Sequence, residues 1–423
     1  MINSPSPDHA KSAEHRRKWI LFGSVAMLFI SGGGMYLIVV ALKEVAMEFG
    51  WPRAVPSFAF SLQFIGSGFG GVLMGYMLDR FGFGIPALIG SVMIGLGAML
   101  VSGIDSAWQL YVIYAVMFGL AGQGSLAAPA MANIARWYDK RRGRAVGIVS
   151  SGQALAGIAW PPIFGLVMAA IGWRDMFFWF GVFALCTMLP LCLMVRHKPP
   201  SLAAPKLGTM AGEALHQKSP AKEQPITNAA LQARLCCAIF GCCVAMALPL
   251  GHLVAFVTDR GYPIHNAVQV LSVMLMAAFV SRAVLLGALS DRVGGLRALF
   301  VFSIVQATTL ATFTVVHDLL SLYVLAGAFG LGYGGLFPIY SVVIRDHLPI
   351  NEIGRRTGVI FLFGAVAMGL GSWMGGYLFD LTGAYTLPFL IGAGFNLVNL
   401  VIVSQLIYKL RFFLPGRNAP NPA

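Results

Sequence analysis

Apolar runs long enough to cross a lipid bilayer begin near Trp19, Ser57, Gly84, Trp108, Arg144, Asp175, Ala229, His265, Leu296, Leu319, Arg355 and Tyr385. A helix that spans the hydrocarbon core needs about 20 apolar residues. Inside lipid, its backbone N–H and C=O groups must be satisfied within the segment. The runs therefore predict an all-α integral membrane protein of twelve transmembrane helices. Such helices would occupy roughly 240 residues of the 423 present. Composition agrees: 11% of residues are charged, against about 25% in a soluble domain. A soluble globule, a disordered tail and a secreted disulfide scaffold are excluded. The 50 glycines suit helices that approach one another closely.

The one long polar interruption, Pro- and Lys-rich, divides the chain. The expected organisation is a tail at 1–18, a six-helix bundle at 19–195, a linker at 196–228, a second bundle at 229–410 and a tail at 411–423. The net charge of +13 does not gather on one soluble face, so nucleic acid is not an expected partner. The cations instead sit at the ends of apolar runs, where an excess of Lys and Arg marks the cytoplasmic side. With a cytoplasmic N-terminus, 24 of the 29 Lys and Arg residues fall inside and four (Lys43, Arg53, Arg174, Arg260) outside. Both termini and the linker are thus expected in the cytoplasm. No cleavable signal precedes the first span, which is expected to serve as its own signal. Cys186, Cys192, Cys236, Cys237, Cys242 and Cys243 lie in or beside apolar runs without His or carboxylate at ligand spacing. They read as buried thiols rather than a metal site.

The halves repeat. Gly75-x-x-x-Asp79-Arg80-x-Gly82 is matched by Gly287-x-x-x-Asp291-Arg292-x-Gly294, and Gly143-Arg144-x-x-Gly147 by Gly354-Arg355-x-x-Gly358. Gly172 to Gly181 likewise matches Gly383 to Gly392. The Gly-x-x-x-Asp-Arg-x-Gly element between spans two and three, repeated between eight and nine, resembles the signature of the major facilitator superfamily. Arg136-Trp137-Tyr138 with Arg141-Arg142-Gly143-Arg144, Pro161-Pro162, Gly172-Trp173-Arg174 and His252-Leu-Val-Ala-Phe with Thr258-Asp259-Arg260-Gly261 resemble its monocarboxylate-porter-like and oxalate–formate-antiporter-like bacterial branches. The resemblance spans about residues 19–410. It implies two pseudo-symmetric six-helix bundles that rock about a central site in the cell inner membrane, the chain acting as a monomer. It also implies gating roles for Asp79, Arg80, Arg144, Asp291, Arg292 and Arg355.

Arg282 belongs to neither membrane face. Nine residues before Asp291, it lies ~13 Å from the inner end of its span at ~1.5 Å per residue. That is near the midplane of a ~30 Å core, where an arginine costs about 2.5–3.5 kcal/mol on insertion scales. All 16 Asp and Glu fall in loops, tails or span ends. A guanidinium without a fixed counter-ion, facing a central cavity, is expected to receive an anion, which a carboxylate would pair bidentately. The related porters resemble the chain here, with a substrate-binding arginine on span eight. The chain departs from them at Ala278, where animal porters have Asp, at Tyr36, where they have Lys, and in 358–379, which lacks the oxalate exchanger's second basic residue. A single cation favours a monocarboxylate over a dianion.

His252 follows Pro249-Leu250-Gly251, while Gly32-Gly33-Gly34 lies at matching depth in span one. Paired interruptions in the two halves point to a transporter site. A histidine there is both a substrate-site and a proton-coupling candidate. Tyr36, Gln123, Gln153 and Tyr333 fall at similar depth and are further substrate-binding candidates, each alternatively serving as helix–helix glue. The glycine runs 66–71 and 330–335 lie within spans and not after a soluble strand, so they predict close packing and no cofactor. Without Walker, metalloprotease or nucleophile-elbow patterns the chain is not expected to be an enzyme. The expectation is a secondary active symporter of a small organic anion with a proton. Anion exchange or proton-driven export of amphipathic compounds is the alternative.

Overall fold

The computed structural model describes residues 7–137, 142–197, 226–348 and 353–410. The side chains of Asp79, Arg144, Asp291 and Arg355 lie outside the described residues, as do most of the expected linker and the C-terminal tail. Eleven helical segments are long and apolar enough to cross a membrane. We label them α1 (Arg16–Phe49), α2 (Ala54–Leu78), α3 (Gly84–Ser102) and α4 (Ala107–Ile134), then α7 (Asn228–Thr258) and α8 (Ile264–Leu285). The others are α9 (Gly295–Thr312), α10 (Leu319–Ile344), α11 (Arg356–Thr382) and α12 (Thr386–Leu410). The remaining segment, Ile148–Val195, has 48 residues, more than twice what a bilayer requires. It breaks at Gly172, whose φ of 82° and ψ of 169° leave helical space. Glycine reaches such a φ without steric cost. The segment is therefore two helices, α5 (148–171) and α6 (173–195), and the spans number twelve.

The duplication is legible in the backbone. Residues with positive φ come as Gly50 and Gly261, Gly82 and Gly294, and Gly172 and Gly383. Each pair is 211 or 212 positions apart and turns the chain at the same loop of its half. Capping also starts helices where the sequence supplies an acceptor. Thr227 takes the Ala230 N–H at the head of α7, and Asp318 takes the Ser321 N–H at the head of α10. One boundary differs from expectation: α1 continues back to Pro7, into the stretch expected as a polar tail. Of the cysteines, Cys186 and Cys237 are exposed and the other four buried, because α6 and α7 each turn one face outward.

The glycine runs do pack closely. A Cβ at Gly66 would sit 2.3 Å from the Ala115 carbonyl oxygen, and one at Gly70 1.9 Å from that of Leu120. On the other side, Cβ atoms at Gly330 and Gly334 would sit 2.1 and 2.4 Å from the oxygens of Met274 and Ala278. The equivalent α2–α4 and α8–α10 seams are thus both backbone contacts, with the glycines on α2 in one half and on α10 in the other. Both seams contain π-helical turns, at Ile113–Gln123 in α4 and Ser281–Leu285 in α8. Such turns recur at functional sites.

The two halves meet along α2–α11 and α5–α8. Ser61 Oγ donates to the Gly369 carbonyl at 2.6 Å, and a Cβ at Gly165 would touch Val268 at 3.0 Å. The α2–α11 seam widens along its length. From a Cβ position, the nearest atom across it is 2.5 Å away at Gly376, 3.3 Å at Gly369 and 3.8 Å at Gly68, and Gly75 has nothing within 4 Å. The helices are closed at the end carrying loops 50–53 and 259–263 and splay toward the opposite end.

Candidate substrate site and the latch between the halves

Arg282 lies in the π-helical turn of α8 and is exposed. Its Nε donates to the Gly334 carbonyl at 2.9 Å. That carbonyl is free because α10 is interrupted there, between Leu319–Gly334 and Leu336–His347, and the last carbonyls of a helix lack partners within it. Val268 and Leu275, fourteen and seven residues earlier on α8, pack against Gly165 and Gly157 of α5 in the other half, and Arg282 continues that helix face toward the space between the halves rather than lipid. Among the described residues no carboxylate lies within ion-pair distance of it. Tyr36 and Tyr333 are buried. Tyr36 reaches α5, where a Cβ at Gly157 would meet its hydroxyl at 2.6 Å.

Gln123 and Gln153 stand in the wall of the other half. Together with Met35, Gln63, Phe64 and Ser67 they line a cavity of about 130 Å³. Gln123 Nε2 donates to the Ser31 carbonyl at 2.6 Å, tying α4 to α1, while its Oε1 is buried without a partner among the described residues. Gln63 of α2 joins this group at the cavity wall. The signal it carries, two polar atoms without a partner among the described residues in a side chain only 3% exposed, exists only in three dimensions.

His252 is fully buried near the closed end of α7, away from these contacts. Its Nε2–H donates to the Ser372 carbonyl at 2.7 Å, so its Nδ1 accepts from the Tyr385 hydroxyl at 3.2 Å. Tyr385 in turn accepts from Arg53 Nη1 at 3.0 Å. Arg53 pairs both nitrogens with Asp259, Nη2 to Oδ1 at 2.7 Å and Nη1 to Oδ2, and its guanidinium stacks 3.9 Å over Phe379. Lys43 Nζ lies 3.1 Å from the same Asp259 carboxylate. Asp380 accepts the backbone N–H groups of Arg53 and Ala54, each at 2.8 Å. A carboxylate of α11 thus caps the N-terminus of α2, where the helix dipole favours negative charge. Burial would raise the Asp259 carboxyl, but the Arg53 hydrogen bonds and charge, with Lys43 behind them, hold it below the ordinary carboxylate range.

This latch joins α1 and α2 to α7, α11 and α12, and its central pair, Arg53 and Asp259, was not among the expected site residues. The available signal was the repeat: Asp259 stands 211 positions after Glu48, whose carboxylate instead binds Arg174 Nε at 2.8 Å inside its own half. Of the expected gating residues, Arg80 lies near the Phe81 ring, 5.4 Å from its centroid, and Arg292 is exposed in the short helix Leu286–Val293 that continues from α8. Asp79, Arg144, Asp291 and Arg355 fall outside the described side chains.

A duplicated twelve-helix bundle whose halves are latched at one end and splayed at the other defines a membrane transporter and not an enzyme. The family model of the Major Facilitator Superfamily matches residues 25–322 and 283–423, and the chain belongs to that superfamily. It is 27% identical over 382 residues to monocarboxylate transporter 13 of Bos taurus, covering 89% of this chain and 84% of that protein. It is 24% identical to the uncharacterized MFS-type transporter YcxA of Bacillus subtilis, covering 84% and 86%. The fold is similar to that of a peptide transporter POT solved in complex with sulfate, with a TM-score of 0.73 at 14% identity, covering 95% and 96% of the two chains.

Proposed function

We propose that the protein is a secondary active transporter that carries a small organic anion, a monocarboxylate, across the cytoplasmic membrane with a proton. The observation that supports this reading is Arg282: an exposed guanidinium between the halves, committed through one N–H to a carbonyl and, among the described residues, through none to a carboxylate. Two remaining N–H edges suit a carboxylate, and charge-assisted pairs of this kind are strong. Tyr36 and Tyr333 would complete the pocket around the bound anion. The distribution of Lys and Arg supports a latched end outside and both termini in the cytoplasm, with the splayed end opening inward. The relative named a monocarboxylate transporter agrees with the substrate class.

His252 is the proton-coupling candidate of this scheme. Protonation of Nδ1 would displace the Tyr385 hydroxyl as its donor and loosen the chain that holds Arg53. The same geometry favours a second reading, anion exchange, because both ring nitrogens are already hydrogen-bonded. Uptake of labelled monocarboxylates into proteoliposomes tests both. Arg282→Gln should abolish it, and unchanged uptake would end the proposed role. Dependence on an imposed pH gradient indicates symport, whereas counterflow without one indicates exchange.

A further inference from the structure

α8 and α10 are clamped backbone to backbone as far as Ala278, whose carbonyl oxygen a Cβ at Gly334 would meet at 2.4 Å. Past that contact α8 passes through its π-helical turn at Ser281–Leu285 and runs on as the short helix Leu286–Val293. Helices bend at such turns. α9 and α10 stay close over the same depth: a Cβ at Gly332 would lie 2.9 Å from the Gln306 backbone nitrogen, and one at Gly335 2.6 Å from the Phe302 ring. The far part of α8 therefore stands away from a tight α9–α10 pair, and a groove of about 400 Å³ lies between them. Leu285 and Ala288 form one wall, Val301 and Val305 of α9 the other, and Ala328 and Leu331 of α10 the floor. The floor continues the outward stripe of α10 that starts at the exposed Leu320 and Val324, so the groove opens to lipid and not to the space between the halves. Among the described residues every side chain lining it is apolar except Arg292, at its mouth.

We propose that this groove is a docking site for an anionic glycerophospholipid, which lays one acyl chain along it and pairs its phosphate with Arg292. Depth fits this occupant. From Leu285 to Arg292 the groove runs seven residues, ~10 Å at ~1.5 Å per residue, most of the ~15 Å half-thickness of the hydrocarbon core. Arg292 stands just before the loop to α9, at the level of the headgroups, while Leu285 reaches toward the midplane. Charge fits as well. Arg297, in the first turn of α9, is exposed beside the same loop, so two cations meet one anionic headgroup. A guanidinium grips a phosphate through two parallel N–H groups, and basic pockets between transmembrane helices hold anionic headgroups. The apolar walls need a filler too: side chains facing empty space lose their dispersion contacts, and water does not enter a dry apolar cavity to replace them. The volume falls within the range of ligand pockets, about 300–1,000 Å³. The site is separate from Arg282 and does not depend on what that residue binds.

Native mass spectrometry of the full chain, released from micelles holding equal amounts of phosphatidylglycerol and phosphatidylcholine, reads the occupant. The wild type should retain one phosphatidylglycerol per monomer, at least about fivefold over phosphatidylcholine, the effect of one cation near a membrane surface. Arg292→Gln should cut that preference about fivefold. Val301→Trp fills the groove from a wall position already 42% exposed, and should remove the retained lipid of either kind. Ala288→Phe repeats the block from the opposite wall if the tryptophan variant does not fold. Leu320→Trp, on the same stripe of α10 but outside the groove, should retain the lipid as the wild type does. A retained lipid unchanged by filling the groove, or equal retention of the two lipids by the wild type, overturns the site. A dimer that Val301→Trp turns into a monomer overturns it as well, since the groove would then seat a second copy of the chain.

Discussion

Arg53 and Asp259, 206 positions apart, hold the two six-helix halves together through a two-point ion pair. The arginine lies in the loop before α2 and the aspartate just past the end of α7. The pair is half-buried, the side chains being 12% and 23% exposed, so solvent screens it only in part. Through Tyr385 the same arginine touches His252. The latch thereby links the closed end of the molecule to its buried histidine.

Breaking the latch should shift the molecule toward the state open at the latched end. Hydrogen bonds to charged groups are worth about 1.5–3 kcal/mol, so Asp259→Asn should change the ratio of the two states roughly ten- to a hundredfold. Electron–electron distance measurements between spin labels at the exposed positions Asp105 and His317 should show a longer component. Glu48→Gln, at the repeat-equivalent carboxylate, should leave that distance unchanged, because its partners Arg174 and Trp173 lie in the same half.

The latch should also respond to acid in a defined direction. Asp259 is held below its ordinary range when paired. Its contribution is therefore fully present above the unpaired value, about pH 4, and is lost as the pH falls through the paired one. The spin-label distance in the wild type should stay constant from pH 8 to pH 5 and lengthen only in stronger acid. In Arg53→Gln the midpoint should move upward, since burial then acts on the carboxyl against Lys43 alone. A wild-type transition between pH 5 and 8 would assign the switch to His252, which reaches Arg53 through Tyr385, and not to Asp259.

Charge without geometry should not suffice at position 282. Arg282→Lys retains the cation but not the planar fork. Its Nζ cannot both donate to the Gly334 carbonyl and present two parallel N–H groups to a ligand. Uptake measured as kcat/KM should fall about tenfold in Arg282→Lys and about a hundredfold or more in Arg282→Gln, following the strength of charge-assisted pairs. Equal values for the two variants would refute bidentate binding.

Gly70 should tolerate no side chain. Its Cβ would lie 1.9 Å from the Leu120 carbonyl oxygen, a backbone atom in the π-helical stretch of α4. Overpacking of this kind costs about 1–3 kcal/mol. Gly70→Ala should lower the midpoint of thermal aggregation in detergent, read by size-exclusion chromatography. Gly394→Ala, where a Cβ meets nothing within 4 Å, should not.

The twelve spans, the duplication and the isolated charge at Arg282 are properties of windows about 20 residues long or of repeats at a fixed offset, so the sequence alone determines them. Bilayer thickness and backbone hydrogen bonding leave a chain of such apolar runs few other folds. The tertiary structure decided which side chains meet. Equivalent carboxylates at Glu48 and Asp259 diverged, one binding within its half and the other across the seam. His252, at the depth of a site residue by helix counting, joined the latch, whereas Gln63 came to line the cavity without a partner among the described residues. Hydropathy fixes how deep a residue lies in the membrane. Which way it faces, and across which seam, follows from helix rotation and close packing, and those depend on glycine contacts between segments far apart in the chain.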